Sequence, residues 1–257
     1  MILFILTKRF LYRSAHAIVF LVERGEAPLT IEQSIAVEEE VAVIMPCERC
    51  EDVYVEDLGQ VDKKPVYSFF KRAADIILSI VALIICAIPM AIIAILVKCS
   101  SKGKVFYHQE RLGLDGVKID VIKFRTMRED AERDGAQWSN GDSDPRITPI
   151  GRVLRSTRLD ELPQFWCIIK GEMSLVGPRP EREIFYDKFE QYIHGFRERL
   201  KVKPGLTGHA QVSGGYYLRP EEKIVYDVEY IKTRSAWMDI KILFKTVKVI
   251  FKREGAK

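Results

Sequence analysis

Cysteine is scarce in this sequence and has no paired pattern. Five cysteines in 257 residues are an odd number at scattered spacings. Cys47-Glu-Arg-Cys50 is a lone CxxC with no second pair and no nearby histidine, which argues against zinc. Cys86 and Cys99 bracket an apolar run and Cys167 sits in an apolar patch, an arrangement that fits reduced thiols in a cytosolic setting. There is no internal repeat and no low-complexity tract. No RNP, finger or helix-turn-helix pattern accompanies the basic residues, so nucleic acid is not an expected partner. Met1 to Leu6 is apolar before any basic residue, the reverse of a secretory signal, and no small-residue cleavage site follows.

A strong charge excess is also missing, since the net charge is only +4. Its placement says more than its size. Lys98 to Arg128 holds eight basic and three acidic residues, which suits an anionic surface or ligand. Residues 38 to 62 lean acidic. With 47% hydrophobic and 30% charged residues, the chain has enough apolar content for a core and is not disordered overall.

One long hydrophobic run stands out. Ile76 to Val97 is 22 residues without a charge, which on length alone is a transmembrane helix. Pro89 lies inside it and removes a backbone donor, so it kinks or breaks the helix. Both flanks are basic: Lys63, Lys64, Lys71 and Arg72 before, and Lys98, Lys102 and Lys104 after. Positive flanks favour the cytoplasmic side, and here both ends ask for it. A broken, re-entrant helix over 65–103 satisfies both observations. A straight span and a buried core helix are the alternatives.

The remaining periodicity predicts an α+β fold, mostly helical with a small β-hairpin. Lys8 to Val22 reads as an amphipathic helix, and 35–45 and 52–58 as short strands. Residues 1–64 carry no chemistry and are expected to be an N-terminal extension. Val105 to His108 and Val117 to Lys123 flank Gly113-Leu-Asp-Gly116 as a hairpin. Residues 147–157 read as a helix with Thr148-Pro149 as cap and first turn. Asp160 to Lys170 reads as another, stopped by Gly171, with Asp160 near its N-terminus or acting as its N-cap. Glycine-bearing turns at 204–208 and 213–215 offer close backbone approach to a ligand. Trp237 to Arg253 reads as a basic amphipathic helix, with Ile240, Leu243, Phe244, Val247 and Phe251 on one face. Such a helix lies on an anionic membrane or packs on the core.

The chemistry concentrates between Arg155 and Arg182. Adjacent carboxylates, Asp160 and Glu161, stand between Arg155 and Arg158 on one side and Arg179 and Arg182 on the other. Arginine forks match phosphate oxygens, while carboxylates hold a divalent cation or attack phosphorus. Gly177-Pro178-Arg179-Pro180 fixes the backbone of Arg179 before any ligand arrives. An Asp-Glu pair by itself is more often a solvated helix start, so its surroundings decide.

Five motifs in order extend the pattern. KRAAD at 71–75 leads into the apolar run with Pro89. KFRTM at 123–127, RLDELPQ at 158–164, GEMSLVGPRPE at 171–181 and KPGLTGHAQVSG at 203–214 follow. Together they resemble the bacterial sugar transferase family, the monotopic phosphoglycosyl transferases that begin exopolysaccharide and O-antigen assembly. The resemblance covers about residues 65–257. It implies a re-entrant membrane helix with a catalytic domain over 104–257 on the cytoplasmic face of the bacterial inner membrane. It implies transfer of a sugar phosphate from a UDP-sugar to polyprenyl phosphate, releasing UMP. It implies Asp160 as covalent nucleophile and Glu161 beside it, both holding Mg²⁺, and substrate contacts at Lys123, Arg125, Arg155, Gln164, Pro178 and Arg179. Residues 1–64 then look like the tail of the longer members' N-terminal domain. Three departures stand out. Ile88 precedes Pro89 where many members have Ser, His209 replaces a usual Trp, and Ser213-Gly214-Gly215 replaces an Asn-Gly-Arg. Which sugar is used and the oligomeric state are not encoded legibly.

Overall fold

The computed structural model describes residues 52–131, 144–214 and 218–252. The expected helix at 8–22, the strand at 35–45 and Gly215 lie outside those residues. Helix α1 spans Pro65–Ser100. It is followed by β2 (Phe106–Leu112) and β3 (Lys118–Phe124), an antiparallel hairpin in which Tyr107 faces Lys123 and Arg111 faces Ile119. Strand β1 is only Val53–Tyr54 and pairs in parallel with β5, Ile193–His194. Helices α2 (Pro149–Thr157) and α3 (Gln164–Lys170) come next, then β4 (Ser174–Val176) and α4 (Glu183–Glu190). Strand β6 (Gly205–Thr207) lies parallel to β4. Helices α5 (His209–Ser213), α6 (Pro220–Thr233) and α7 (Ala236–Lys252) close the chain. The mixed, mainly helical architecture with one small hairpin is the expected one.

The core falls into three clusters. The largest joins Ile119 and Val121 of the hairpin to Cys167, Ile168 and Met173, and to Tyr230, Ile231 and Ile242. A second gathers Tyr186, Phe189, Ile193, Phe196 and Ile224. The third packs Ile93 and Val97 of α1 against Phe124 and Leu154. Each fully buried aliphatic or aromatic side chain contributes about 1.5–3 kcal/mol.

Helix α1 is held to this body at both ends. Arg72 donates to the carbonyls of Ile168 and Ile169 at 2.6 and 2.8 Å, capping the end of α3. Asp75 accepts the Leu175 N–H at 3.0 Å. Towards the other end, Ile93 and Val97 are buried, and Arg125 donates to Val97 O at 3.2 Å and Ser101 O at 2.7 Å. Helical structure continues through Pro89 rather than stopping there. Proline removes a single donor, and the turns on either side keep their own bonds.

Helix α7 packs on the core along a narrow stripe only. Its buried residues are Asp239 and Ile242, the latter next to a Thr246 hydroxyl that meets Thr207 at 2.7 Å. Of the apolar face, Ile240, Phe244 and Val247 are exposed together with Trp237, while Leu243 is half-buried. Asp239 in its first turn ties three helices, accepting from Tyr67 and Tyr230 hydroxyls at 2.8 Å each and from Lys71 at 2.9 Å. The side chain of Phe251 lies outside the described residues.

The glycine turns also serve another purpose than expected. A methyl group on Gly205 would sit 2.1 Å from the backbone nitrogen of Gly177, and one on Gly177 would sit 2.4 Å from Lys203 O. These glycines let β4 and β6 touch backbone to backbone, which sets the start of the Pro178–Pro180 loop.

Candidate active site

Helix α2 opens as expected: Thr148 Oγ1 accepts the Gly151 N–H at 3.0 Å, and Pro149 takes the first helical position. It ends at Arg158, whose φ of 58° is left-handed, a conformation that costs a non-glycine residue about 1–2 kcal/mol. The chain then makes one 3₁₀ turn, Leu159–Glu161. Leu159 and Leu162 pack against the Phe124–Leu154 cluster, which pins the turn. Asp160 is therefore not the N-cap of a helix that runs to Lys170; α3 begins only at Gln164. The reason is Pro163. It has no N–H to give to the Leu159 carbonyl, so Leu162 takes that acceptor at 3.4 Å in a tighter turn. Gly171, with φ 93°, ends α3 as expected.

The turn buries both carboxylates, leaving Asp160 7% and Glu161 9% exposed. Their surroundings then diverge. Glu161 Oε1 accepts from Lys123 Nζ at 3.0 Å and from Arg179 Nη2, and Oε2 faces Arg179 Nη1 at 3.4 Å. Burial alone would raise its pKa, but Arg179 and Lys123 overcome that and hold it well below the usual carboxylate range. Asp160 accepts no hydrogen bond among the described residues. Burial, with the neighbouring Glu161 charge, raises its pKa to about 6, against the pull of Lys123, Arg155 and Arg179. Burial also lowers the pKa of Lys123, which Glu161 resists. Two adjacent acids thus hold different protonation habits.

Of the residues expected here, the structure brings together Asp160, Glu161, Lys123 and Arg179. Arg155 donates from Nε to Thr126 Oγ1 at 2.9 Å, and its charge acts on Asp160. Gln164 is 2% exposed, and its Nε2 has no acceptor among the described residues. A buried donor left unmet costs about 1–3 kcal/mol. Pro178 is buried and its carbonyl accepts the Gly205 N–H at 2.9 Å. Arg125 goes elsewhere: it grips the last turn of α1 rather than either carboxylate. His209 sits against α6, 3.2 Å from Glu229 and edge-on to Tyr226.

Sequence reading missed the layer that holds Arg179. Arg199, 2% exposed, donates to Arg179 O at 3.0 Å and lies 2.7 Å from Asp227 Oδ2. Arg111 donates to Pro180 O and meets Glu181 at 3.3 Å. Lys223 joins this group of charges, its pKa lowered by burial. Arg111 and Asp227 come from β2 and α6, so no local motif connects them to residue 179. A charged residue framed by Phe196 and Leu200 was the single available hint for Arg199.

The arrangement offers a carboxylate that accepts no hydrogen bond among the described residues, a second carboxylate kept ionised, and several cations around one buried turn. This suits an exchange between phosphates, in which like charges must be screened and a nucleophile supplied. The fit to Mg²⁺ is reasonable. That ion needs only one or two protein carboxylates beside substrate phosphates and water, and among the described residues Asp160 accepts no hydrogen bond and Glu161 Oε2 has one long contact.

A family model described as bacterial sugar transferase matches residues 66–253. A UDP-N-acetylgalactosamine-undecaprenyl-phosphate N-acetylgalactosaminephosphotransferase of Aeromonas hydrophila is 39% identical over 212 residues, covering 81% of this chain and 50% of that protein. A UDP-glucose:undecaprenyl-phosphate glucose-1-phosphate transferase of Escherichia coli K12 is 40% identical, covering 75% and 44%. An undecaprenyl-phosphate galactose phosphotransferase of Salmonella typhimurium is 39% identical, covering 73% and 42%. The chain thus spans half the length or less of these curated relatives.

Proposed function

The chain belongs to the bacterial sugar transferase family, and on that premise we propose that it moves a sugar 1-phosphate from a UDP-sugar to undecaprenyl phosphate. The observation that carries this reading is the divided pair: Asp160 buried and accepting no hydrogen bond among the described residues, beside a Glu161 held by Arg179 and Lys123. Asp160 Oδ attacks the phosphorus that bears the sugar. The bond from that phosphorus to the UMP oxygen breaks, and its electron pair leaves with UMP. An oxygen of the lipid phosphate then attacks the same phosphorus and the aspartyl bond breaks, freeing Asp160. Arg179 and Lys123 keep Glu161 ionised and lend positive charge to the incoming diphosphate. Gln164 Nε2 is a donor for a phosphate oxygen. Asp160 and Glu161 would hold Mg²⁺, which would supply charge neutralisation on the diphosphate. UMP release from a panel of UDP-sugars on adding undecaprenyl phosphate tests the reading. Release of UDP instead would mean sugar transfer without phosphate, and no release would leave a membrane-bound binding module.

Arg179→Lys is expected to raise the KM for the sugar nucleotide about tenfold or more, since lysine cannot make the forked contact. The melting temperature should stay within a few degrees. Unchanged kinetics would leave Arg179 as a partner of Glu161 alone.

We place the chain at the inner membrane by a re-entrant α1. Among the described residues, α1 is the one helix long and apolar enough to cross a membrane. Its two ends dock on one body, and no residue from 80 to 92 is buried. Those thirteen residues rise about 20 Å as a helix, short of the roughly 30 Å hydrocarbon thickness. A bend at Pro89 turns the two halves back towards that body, so that they reach into one leaflet and return. The exposed Phe69, Phe70, Trp237 and Phe244, with Lys241, Lys245 and Lys248 on α7, suit the surface of an anionic membrane. Cysteines placed at Lys63 and Lys102 should both react with an impermeant maleimide from the cytoplasmic face. Labelling from opposite faces would restore a single span.

A further inference from the structure

We infer that the cleft between the free edge of β2 and the start of α4 is the subsite for the sugar ring of the donor. This deepens the proposed transfer reaction and rests on it. The cleft holds about 380 Å³ and is lined by residues 107–110 with Arg182, Glu183 and Ile184.

Its position follows from strand register. Tyr107, Gln109 and Arg111 alternate onto one face of β2, opposite Lys123, Val121 and Ile119 of β3. Directly opposed residues have Cβ atoms about 5 Å apart. Tyr107 is thus the neighbour of Lys123, which lies 3.0 Å from Glu161. One lining residue, Tyr107, is therefore the cross-strand neighbour of the cation that holds Glu161. In a UDP-sugar the ring is bonded through oxygen to the phosphorus under attack, while the nucleoside is a phosphate further off. The ring is the part of the donor that must lie this close.

The walls are built rather than incidental. Arg111 donates from Nε and Nη2 to Gln109 Oε1 at 3.0 and 2.6 Å, and Gln109 Nε2 points to Tyr107 Oη at 3.4 Å. That chain fixes which end of the Gln109 amide faces which neighbour. Leu112 N–H donates to Glu181 O at 3.1 Å, and Lys118 bridges Glu110 and Glu183 at 2.8 and 3.0 Å, so strand and helix start are tied at two places.

The lining chemistry selects the class of ligand. A phenol, an amide, a guanidinium and two carboxylates offer both donors and acceptors, as a ring of hydroxyls requires. A lipid chain finds little apolar wall here. A hydroxyl whose partner is fixed in advance is discriminated strongly, because the wrong epimer leaves that partner unmet. Gln109 is the residue best held for that task.

The test uses the full chain in detergent with Gln109→Leu, Tyr107→Phe and Glu183→Gln. Wild type and variants are compared for kcat/KM on UDP-glucose, UDP-galactose and their N-acetylated forms. The expected result is a change of tenfold or more in the ratio between two sugars for Gln109→Leu. The KM for undecaprenyl phosphate and inhibition by UDP, which has no sugar, should not move. Equal losses on every sugar with weakened UDP inhibition would make the cleft a nucleotide cradle and overturn the inference. Unchanged ratios in all three variants would overturn it too. A binding arm separates this from the reaction itself: in an Asp160→Asn background, Gln109→Leu should erase the affinity advantage of UDP-sugar over UDP. If wild type releases no UMP yet that advantage exists and is erased, the transfer reading fails and the subsite stands. If no such advantage exists, the subsite fails.

Discussion

Replacing Asp160 with Asn should lower turnover by about 10⁴-fold or more, the scale seen when a covalent nucleophile is removed. The amide keeps the size of the side chain and cannot form the bond to phosphorus. The same change should not harm the fold. Among the described residues Asp160 accepts no hydrogen bond, so the amide breaks none there, and the attraction of Lys123, Arg155 and Arg179 that it gives up is smaller than the burial cost it removes. The sign of its stability effect is set by its raised pKa, about 6. A carboxyl that holds its proton more tightly when folded costs stability as pH rises through that value. Asn carries no charge to bury, so Asp160→Asn should melt at or above the wild-type temperature above pH 6, and the gap should shrink as pH falls. Metal-free protein should show the same pH limb in alkylation of Asp160 by a carboxyl reagent. With UDP-sugar and no undecaprenyl phosphate, wild-type protein should yield a phosphosugar adduct on the peptide containing Asp160. Near-normal turnover in the Asn variant would move the nucleophile to another residue.

What the sequence revealed about this site and what it concealed separate along a physical line. The hairpin, the Thr148-Pro149 helix start, the Gly171 stop and the Asp160-Glu161 adjacency all depend on bonds between residues a few positions apart. Local chemistry specifies them, and they were legible. Lys123 and Arg179 were named from motifs, but their target, Glu161 rather than a free diphosphate contact, required the packing of β3 against the 3₁₀ turn. Arg125 looked like a ligand for the same anion, yet its guanidinium caps a helix end that lies 24 residues earlier in the chain. Pro163 would be tolerated in the first turn of a helix that begins at Asp160. Its missing donor instead postpones the helix and leaves Asp160 in a bend, which is how the acid escapes capping. The Pro204–Gly208 turn shows the limit from another side. Its glycines are needed because two backbones touch, and no pattern in one strand announces the other.

The largest expected loss of stability lies one layer out, at Arg199 and Asp227. Both are almost fully buried, at 2% and 1% side-chain exposure, and 2.7 Å apart. The contact is ionic rather than a well-directed hydrogen bond, for Asp227 Oδ2 lacks a properly aligned donor. Burial accordingly pushes the Asp227 carboxyl above its ordinary value in spite of Arg199. Such a pair adds little net stability, yet breaking it is costly, because the surviving charge stays buried alone. Arg199→Met should therefore destabilise the protein by about 3–5 kcal/mol. Asp227→Leu alone should cost less. Its partner keeps the Arg179 carbonyl at 3.0 Å and the face of Phe196 at 4.9 Å. The double change should recover much of the loss, a coupling that a double-mutant cycle reads directly. The penalty in Arg199→Met should ease as pH falls, since a proton can discharge Asp227 when its cation is gone. Function should follow a separate course. Every variant lacking Arg199 loses the donor on Arg179 O, so the double change should regain its melting temperature and still show a raised KM for the sugar nucleotide. A double variant that recovered both would make Arg199 a packing residue with no part in placing Arg179. One that recovered neither would mean the pair stabilises the core in its own right.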